Sequence, residues 1–293
     1  MKKEKKWLLS RKENDSQTPK KVKKLKKWQK FLLISFTLLL CFTLWMIWGN
    51  TSLQVTKYTI TSSRLPESFH GFKIVQISDL HDAEFGEDNC RLVKKVQKIA
   101  PDIIVLTGDF VDAFRTDVPQ SISVARQVVQ IAPTYYIPGN HEAKINDPSI
   151  YDQLEEVGVT LLFNKALPLT RGEDKIHLIG LTSDKKVVKT LTPLMPKDDG
   201  YSILLAHRPE PFEEYAAVGP DLVLSGHVHG GQARLPFIGG LYGSNQGFDP
   251  KYDAGLYTSG STSMLISRGL GNSRFPIRFN NRPEIVVVTL EKS

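Results

Sequence analysis

Short apolar runs alternate with polar, glycine-containing segments through most of the chain after residue 70. Five of these runs have the length of buried strands, and each leads to an Asp, His or Asn beside a glycine or another small residue. We predict strands at Phe72–Ile77, Ile103–Leu106, Thr134–Ile137, Ile203–Ala206 and Leu222–Leu224. Because binding residues gather at the carboxyl ends of parallel strands, the pattern predicts a site at that edge of the sheet.

Helices are predicted between the strands, where apolar residues recur every three or four positions. These helices are Asn89–Ala100, Gln120–Gln130 and Asp152–Val157. Alternating strands and helices indicate an α/β fold with a largely parallel sheet. Further strands are predicted at Tyr58–Thr61, Thr160–Phe163, Ile176–Leu181, Tyr257–Ser259, Met264–Ser267 and Ile285–Leu290. Since the last three follow one another with few helix signals, we expect two packed sheets with helices outside.

A longer apolar run precedes this region. Phe31–Trp48 has eighteen residues and no charge, which as a helix would measure about 27 Å and nearly match the ~30 Å hydrocarbon core of a bilayer. Tryptophans flank the run on both sides, as in the aromatic belts of membrane proteins. We predict an uncleaved transmembrane helix; a cleaved signal peptide and a buried core helix are the alternatives. Gly49–Ser52 does not resemble a signal-peptidase site, which disfavours cleavage.

The distribution of charged residues along the chain indicates on which side of the membrane the segments before and after the apolar run lie. The net charge is +7, yet residues 1–30 hold thirteen Lys or Arg and three acids, a net of +10, which leaves −3 for the remainder. A nucleic-acid-binding body is therefore not expected. We predict a basic cytoplasmic tail at 1–30, a transmembrane helix at 31–48, an exit segment with the first strand at 49–70, and an extracytoplasmic catalytic domain at 71–293. The two cysteines, Cys41 and Cys90, are too few and too far apart in sequence to suggest a structural disulfide.

The residues that follow the strands form a mixed carboxylate, amide and imidazole set. They are Asp79, His81, Asp109, Asn140, His207, His227 and His229. Such ligands suit Zn, Mn, Fe or Ni, and the absence of cysteine ligands argues against a closed structural zinc site. Seven ligands are too many for one ion and suit two ions that share a carboxylate. Two ions roughly 3.5–4 Å apart are a standard arrangement for hydrolysing phosphate esters, because they ionise a water and neutralise the phosphoryl oxygens.

The ordered motifs resemble those of the calcineurin-like metallophosphoesterase family. They are Asp79-Leu80-His81, Gly108-Asp109, Gly139-Asn140-His141-Glu142, His207 and Gly226-His227-Val228-His229. The resemblance implies a four-layer αββα sandwich of two mixed sheets flanked by helices. It also implies one divalent ion at Asp79, His81, Asp109 and His229, and a second at Asp109, Asn140, His207 and His227. Asp109 would bridge the two ions, and His141 would contact the phosphate and protonate the leaving group. Ala206 stands where many relatives have glycine before the histidine.

The expected activity is hydrolysis of phosphate mono- or diesters by a metal-bound hydroxide. The predicted anchor makes lipid-linked or envelope phosphodiesters and pyrophosphates attractive substrates, and the resemblance extends to a subgroup that includes UDP-2,3-diacylglucosamine pyrophosphatases. The alternative is a metal-binding scaffold protein of the same fold that has lost catalysis. The chain contains neither a G-x-S-x-G elbow nor a P-loop, so serine hydrolase and NTPase functions have no support.

Other polar residues carry weaker expectations. His70 and His177 lie outside every motif and are expected to be ordinary polar residues. Asp112 either orients a ligand histidine or has a helix-capping or surface role, and Glu142 is expected to support ligands rather than bind metal. The loop Gly230-Gly231-Gln232 with Arg234 either lines the substrate mouth or only forms a turn. The C-terminal arginines either favour phosphate or form surface pairs; they are Arg268, Arg274, Arg278 and Arg282.

Overall fold

The computed structural model describes residues 26–145, 147–182, 185–272 and 275–293. The chain divides into two compact units, residues 1–44 and 45–293. Most of the predicted basic tail, residues 1–25, and Arg274 lie outside the described residues.

Helix α1 covers Lys27–Thr51 and contains the predicted apolar run. Among the described residues it is the one helix long and apolar enough to cross a membrane. The hydroxyls of Thr37 and Thr43 donate to the carbonyls of Leu33 and Leu39, 2.8 and 2.9 Å away, so these polar groups are satisfied within the helix. This is the arrangement that a helix in hydrocarbon requires.

The second unit contains sixteen strands in its described part. They are β1 Gln54–Ser62, β2 Phe72–Ile77, β3 Ile103–Thr107, β4 Thr134–Ile137, β5 Thr160–Leu161, β6 Lys165–Arg171, β7 Asp174–Leu181, β8 Ser202–Ala206, β9 Leu222–Ser225, β10 Arg234–Leu235, β11 Gly239–Gly240, β12 Tyr242–Gly243, β13 Gly247–Phe248, β14 Gly255–Ser259, β15 Thr262–Ile266 and β16 Glu284–Lys292. Six form a sheet in the order β1-β16-β2-β3-β4-β5, and six form a second in the order β14-β15-β9-β8-β7-β6. The pairs β10–β11 and β12–β13 form small antiparallel ribbons.

The helices follow the strands closely in sequence. They are α2 Cys90–Ile99, α3 Val118–Val128, α4 Asn140–Ile145, α5 Ser149–Glu156, α6 Val187–Leu191 and α7 Phe212–Val218. Helix α3 begins two residues before its predicted start because the Asp117 carboxylate accepts from the Gln120 N–H at 3.3 Å and Pro119 occupies the first turn. Helix α2 ends where Ala100 takes a left-handed conformation just before Pro101.

Side-chain alternation along the central strands separates three core layers. Ile74 and Val105 point between the two sheets, whereas Val75 and Ile104 point to the opposite face, against α2, α3 and α5. In the second sheet the outer residues, such as Leu204, pack against α6 and α7. Because successive residues of a strand face opposite sides, one apolar run supplies both layers. The predicted four-layer αββα sandwich is confirmed.

The two six-stranded sheets are mixed, and most of their strand pairs are parallel, as the alternation of strands and helices predicts. Strands β2 to β5 run parallel, as do β7, β8, β9 and β15, and these carry the predicted βα units. Antiparallel pairing occurs between β16 and β2, β6 and β7, and β14 and β15. Strand β6 was not predicted because it is a mostly exposed edge strand with little apolar signal.

Candidate metal centre

The seven predicted ligands all follow the carboxyl ends of strands, and they come from both sheets. Asp79 and His81 follow β2, Asp109 follows β3, and Asn140 opens α4 after β4. His207 follows β8, and His227 and His229 follow β9. All of these except Asn140 are buried. The two sheets therefore deliver the site residues to one shared edge, as the sequence pattern predicts.

The backbone at these positions takes uncommon conformations. Asp79, His81 and Asp109 have φ of 51°, 48° and 48°, and His227 and His229 have φ of 73° and 51°. A left-handed residue other than glycine costs of order 1–3 kcal/mol, and such residues cluster at functional sites. Five of them among seven predicted ligands mark this edge as functional.

Two motif glycines allow the loops to approach each other. A Cβ at Gly226 would collide with the carboxylate of Asp79, and one at Gly139 would collide with the carboxylate of Asp109. The glycines of the Gly226-His227 and Gly139-Asn140 steps are therefore needed for close packing around the carboxylates.

One cluster joins Asp79, His81 and His229. The Nε2 atoms of His81 and His229 lie 3.1 Å apart, and Nε2 of His229 lies 3.4 Å from Oδ1 of Asp79. Donor atoms that converge in this way fit a divalent cation.

A second cluster joins Asp109, His207 and His227, whose donor atoms all lie within 4.8 Å of one another. Oδ2 of Asp109 is 3.2 Å from Nε2 of His207 and 3.8 Å from Nε2 of His81, so one carboxylate touches both clusters. Among the described residues, Oδ1 of Asn140 is buried without a hydrogen-bond partner. Because a buried polar atom without a partner is costly, this atom fits a metal ligand better than a structural residue.

Burial and neighbouring charges shift the pKa values of the site histidines. Burial lowers the pKa of His81, His227 and His229, so these rings are neutral, which is the form that binds metal. Burial would also lower the pKa of His207, but the adjacent Asp109 carboxylate raises it to about 10. Asp109 in turn has a pKa well below its usual value, because its contact with His207 outweighs burial.

These clusters lie within the region that matches a known family. Residues 72–231 match the family model described as calcineurin-like phosphoesterase. The chain belongs to this family. It is therefore a metal-dependent phosphoester hydrolase, and the predicted family and enzyme class are confirmed.

Three relatives illustrate the match. The chain is 34% identical over 257 residues to the uncharacterized metallophosphoesterase YkuE of Bacillus subtilis, covering 82% of this chain and 86% of YkuE. It is 30% identical over 230 residues to phosphodiesterase YaeI of Escherichia coli, covering 75% and 82% of the two chains. It is 30% identical over 263 residues to a transmembrane protein with a metallophosphoesterase domain from Danio rerio, covering 82% of this chain and 58% of the relative.

Glu142 organises the loops of the phosphoesterase site. Its buried carboxylate accepts four backbone N–H groups, at 2.6–3.1 Å. The donors are Asp109, Phe110, Val111 and Gly139. Burial and the nearby Asp109 charge raise the pKa of Glu142 to about 7, against the opposing effect of these N–H groups. Glu142 thus joins the loop after β3 to the loop after β4.

His141 and Asp112 lie beside the first cluster. The Ala113 N–H donates to Nδ1 of His141 at 2.9 Å, which places the proton of the neutral ring on Nε2, 4.0 Å from Oδ2 of Asp109. Oδ1 of Asp112 is 3.6 Å from Nδ1 of His141, and its Oδ2 is 3.9 Å from Nδ1 of His81. Asp112 is fully buried, so the surface alternative is wrong for this residue.

Three further residues contact the site histidines and were not predicted to do so. Oε1 of Glu210 is 3.5 Å from Nε2 of His227, and Nδ2 of Asn245 is 2.9 Å from the same atom. Buried Arg278 donates to the Gly271 carbonyl at 2.6 Å, and Nδ1 of His229 lies 3.2 Å from that carbonyl. No pattern in the sequence around these residues indicates these contacts, because each residue lies in a loop far along the chain from the histidine that it contacts.

A cavity of about 480 Å³ opens onto the clusters. His141, His227 and His229 line it, together with Gln232 from the loop for which the sequence left open a place at the substrate mouth or a mere turn. Arg234 instead pairs with Asp253 at 2.8 Å. The two histidines outside the motifs do not line the cavity: His70 accepts from the Lys292 N–H, and His177 pairs with Asp198 at 3.0 Å, as expected for ordinary polar residues.

Proposed function

We propose that the chain is a membrane-anchored phosphoesterase with a dinuclear metal centre. The observation that carries this proposal is the position of Asp109, whose Oδ2 lies within 4 Å of histidines from both clusters. A carboxylate shared in this way is what a pair of metal ions requires.

The two halves of the centre would share Asp109, and each would have three further ligands. Asp79, His81, Asp109 and His229 would hold one ion, and Asp109, Asn140, His207 and His227 would hold the other. Two divalent ions of Mn, Zn or Fe would supply an ionised water and neutralise the phosphoryl oxygens. The chain itself orients the ligands: the Thr107 carbonyl is 2.7 Å from Nδ1 of His207, and the Gly271 carbonyl is 3.2 Å from Nδ1 of His229. Both contacts leave Nε2 directed at the clusters.

His141 would donate the proton that the departing oxygen needs. In the neutral ring Nδ1 accepts the Ala113 N–H and Nε2 carries the proton. To act as an acid the ring would take up a second proton at Nδ1, where Oδ1 of Asp112, 3.6 Å away, would stabilise the imidazolium. Its Nε2–H would then donate to the departing oxygen in the cavity that His141 lines. A general acid in this position contributes about 10²–10⁴-fold to the rate.

The predicted anchor is part of this proposal, with the N-terminus in the cytoplasm and the catalytic domain outside. Asn50, near the end of α1, makes two hydrogen bonds with the backbone of Arg278, at 2.7 and 2.9 Å. Since Arg278 also holds the Gly271 carbonyl beside His229, loss of Asn50 by signal-peptide cleavage would remove support from the site. These contacts favour a retained helix over a cleaved leader.

The mouth of the cavity suits an amphiphilic phosphoester. Lys144 and Arg208 supply positive charge, while Phe114, Tyr242 and Phe275 line the same cavity and are 52%, 44% and 61% exposed. Exposed aromatic side chains beside a phosphate site are suited to an acyl or prenyl chain. This supports lipid-linked phosphodiesters or pyrophosphates as substrates.

The substrate proposal is tested with the full-length protein in detergent and Mn²⁺. We expect a lipid-linked pyrophosphate to be hydrolysed with a higher kcat/KM than the same head group without its lipid. Phe275→Ser should reduce this preference and leave hydrolysis of the soluble compound unchanged. Equal kcat/KM for the two substrates would refute the lipid preference, whereas the assignment as a phosphoesterase would still hold.

A further inference from the structure

A second cavity, of about 180 Å³, lies within the second unit between the last turns of α1 and the loops around β16. Its walls include Trp45, Trp48, Arg268, Arg278 and Arg282. It shares no lining residue with the metal-site cavity. Three guanidinium groups in one small space require an explanation.

Within the described residues, one of these three charges is paired with a carboxylate. Nη2 of Arg268 pairs with Oε1 of Glu284 at 2.8 Å. Arg278 is 1% exposed, and its guanidinium donates to neutral acceptors, namely the carbonyls of Arg268 and Gly271 at 2.6 Å and Oδ1 of Asn272 at 2.9 Å.

Arg282 also lacks a carboxylate partner. Its Nε donates to Oγ of Ser52 at 2.8 Å, and its guanidinium lies 4.4 Å from the ring centre of Trp48. Within the described part of the chain, no carboxylate lies within 4 Å of Arg278 or Arg282. The walls of the cavity therefore carry positive charge without a directly paired carboxylate at Arg278 and Arg282, and the buried Arg278 guanidinium in particular would be stabilised by a bound anion.

The aromatic walls indicate where this anion comes from. Trp45 and Trp48 lie at the end of the apolar helix, where tryptophan side chains settle at the level of lipid head groups. Trp45 packs edge-on against Phe279, with ring centres 5.3 Å apart. Because Phe279 follows Arg278 directly, this contact holds the loop that contains Arg278 at the level of the head groups. Among the described residues that line the cavity there is no Asp or Glu to receive the ammonium group of a zwitterionic lipid, and the nearby Glu284 is paired with Arg268.

We infer that this cavity binds the phosphate of an anionic phospholipid head group. The inference rests on the proposed membrane insertion of α1, and it adds a lipid site separate from the metal centre. Guanidinium groups suit phosphate because they donate paired N–H groups in one plane. Arg282 contacts the phosphate, while Arg278 forms the charged floor of the site.

The test compares phosphatidylglycerol with phosphatidylcholine on the full-length protein in neutral detergent, by native mass spectrometry. We expect about one phosphatidylglycerol per chain, bound about tenfold more tightly than phosphatidylcholine, as one charge-assisted hydrogen bond predicts. Arg282→Gln should abolish this preference, and Arg282→Lys should retain part of it. Arg126→Gln is the matched control, because Arg126 is exposed on α3 and does not line the cavity.

Equal affinity for the two lipids, or an unchanged lipid preference in Arg282→Gln, would overturn the inference. It would also be overturned if inorganic phosphate displaced the bound lipid as effectively as phosphatidylglycerol does, because that would indicate a general anion site. Resistance of the membrane-bound protein to carbonate extraction is measured in parallel. Extraction of the wild type would refute insertion of α1, and Mn²⁺-dependent hydrolysis reports separately on the proposed function.

Discussion

Replacing Glu142 with glutamine tests whether this side chain holds the site loops together. Each carboxylate oxygen accepts two backbone N–H groups: Oε1 from Phe110 and Val111, and Oε2 from Asp109 and Gly139. The amide of glutamine has one accepting oxygen, so two buried N–H groups lose their acceptor whichever way it is oriented. At about 1–3 kcal/mol for each unsatisfied group, Glu142→Gln should lower the free energy of unfolding by about 2–6 kcal/mol.

The same substitution should loosen the metal centre, because the Asp109 backbone is one of the four donors. Loss of a group that orients a ligand typically costs about 10–100-fold in metal affinity. Chemical denaturation measures the first effect, and Mn²⁺ titration of metal-stripped protein measures the second. Glu156→Gln is the control, since Glu156 is exposed at the end of α5. Wild-type stability and wild-type Mn²⁺ affinity in Glu142→Gln would refute the reasoning.

Three further predictions concern the site and its rim. His141→Ala should lower kcat by about 10²–10⁴-fold for esters with poor leaving groups and much less for p-nitrophenyl esters, with unchanged metal content; equal losses on both substrates would contradict a proton-donor role. His227→Ala and His229→Ala should each reduce the bound metal from about two ions to about one, measured by elemental analysis, and loss of all metal in both variants would refute separate halves. Burial opposes ionisation of Asp253, but the Gly240 N–H, the Tyr257 hydroxyl and Arg234 hold its pKa below the usual value. Asp253→Asn should therefore cost about 1–2 kcal/mol at pH 7. The difference should begin to shrink as the pH falls below about 4, where the unfolded-state carboxylate becomes protonated, and should vanish once the folded-state carboxylate is protonated as well; a pH-independent difference would contradict this origin.

The sequence predicted the central strands and the residues that follow them, because both depend on local patterns. An apolar run that ends at Gly108-Asp109 or Gly226-His227 shows both a buried strand and the close approach its glycine permits. Strand β1, Gln54–Ser62, was predicted only over Tyr58–Thr61, and its parallel pairing with β16 joins residues about 230 positions apart. No local pattern determines such a pairing.

The supporting residues of the site were harder to predict for the same reason. Glu142 was expected to support the ligands, but its four N–H contacts depend on how two loops pack together. The sequence left open whether Arg278 favours phosphate or forms a surface pair, and gave no sign that it would be buried beside His229, nearly fifty residues earlier in the chain. The supporting roles of Glu142 and Arg278 arise from packing between segments far apart in the chain, and local patterns in a single sequence do not reveal such packing.

The most direct test of the central claim is hydrolysis of bis(p-nitrophenyl) phosphate by metal-stripped, full-length protein. Addition of Mn²⁺ should restore hydrolysis together with about two bound ions per chain. Asp109→Asn should bind less metal and lose hydrolysis, because this carboxylate contacts both clusters, whereas Asp152→Asn, at an exposed position of α5, should match the wild type. Full activity in the metal-stripped protein, or wild-type activity in Asp109→Asn, would contradict the account.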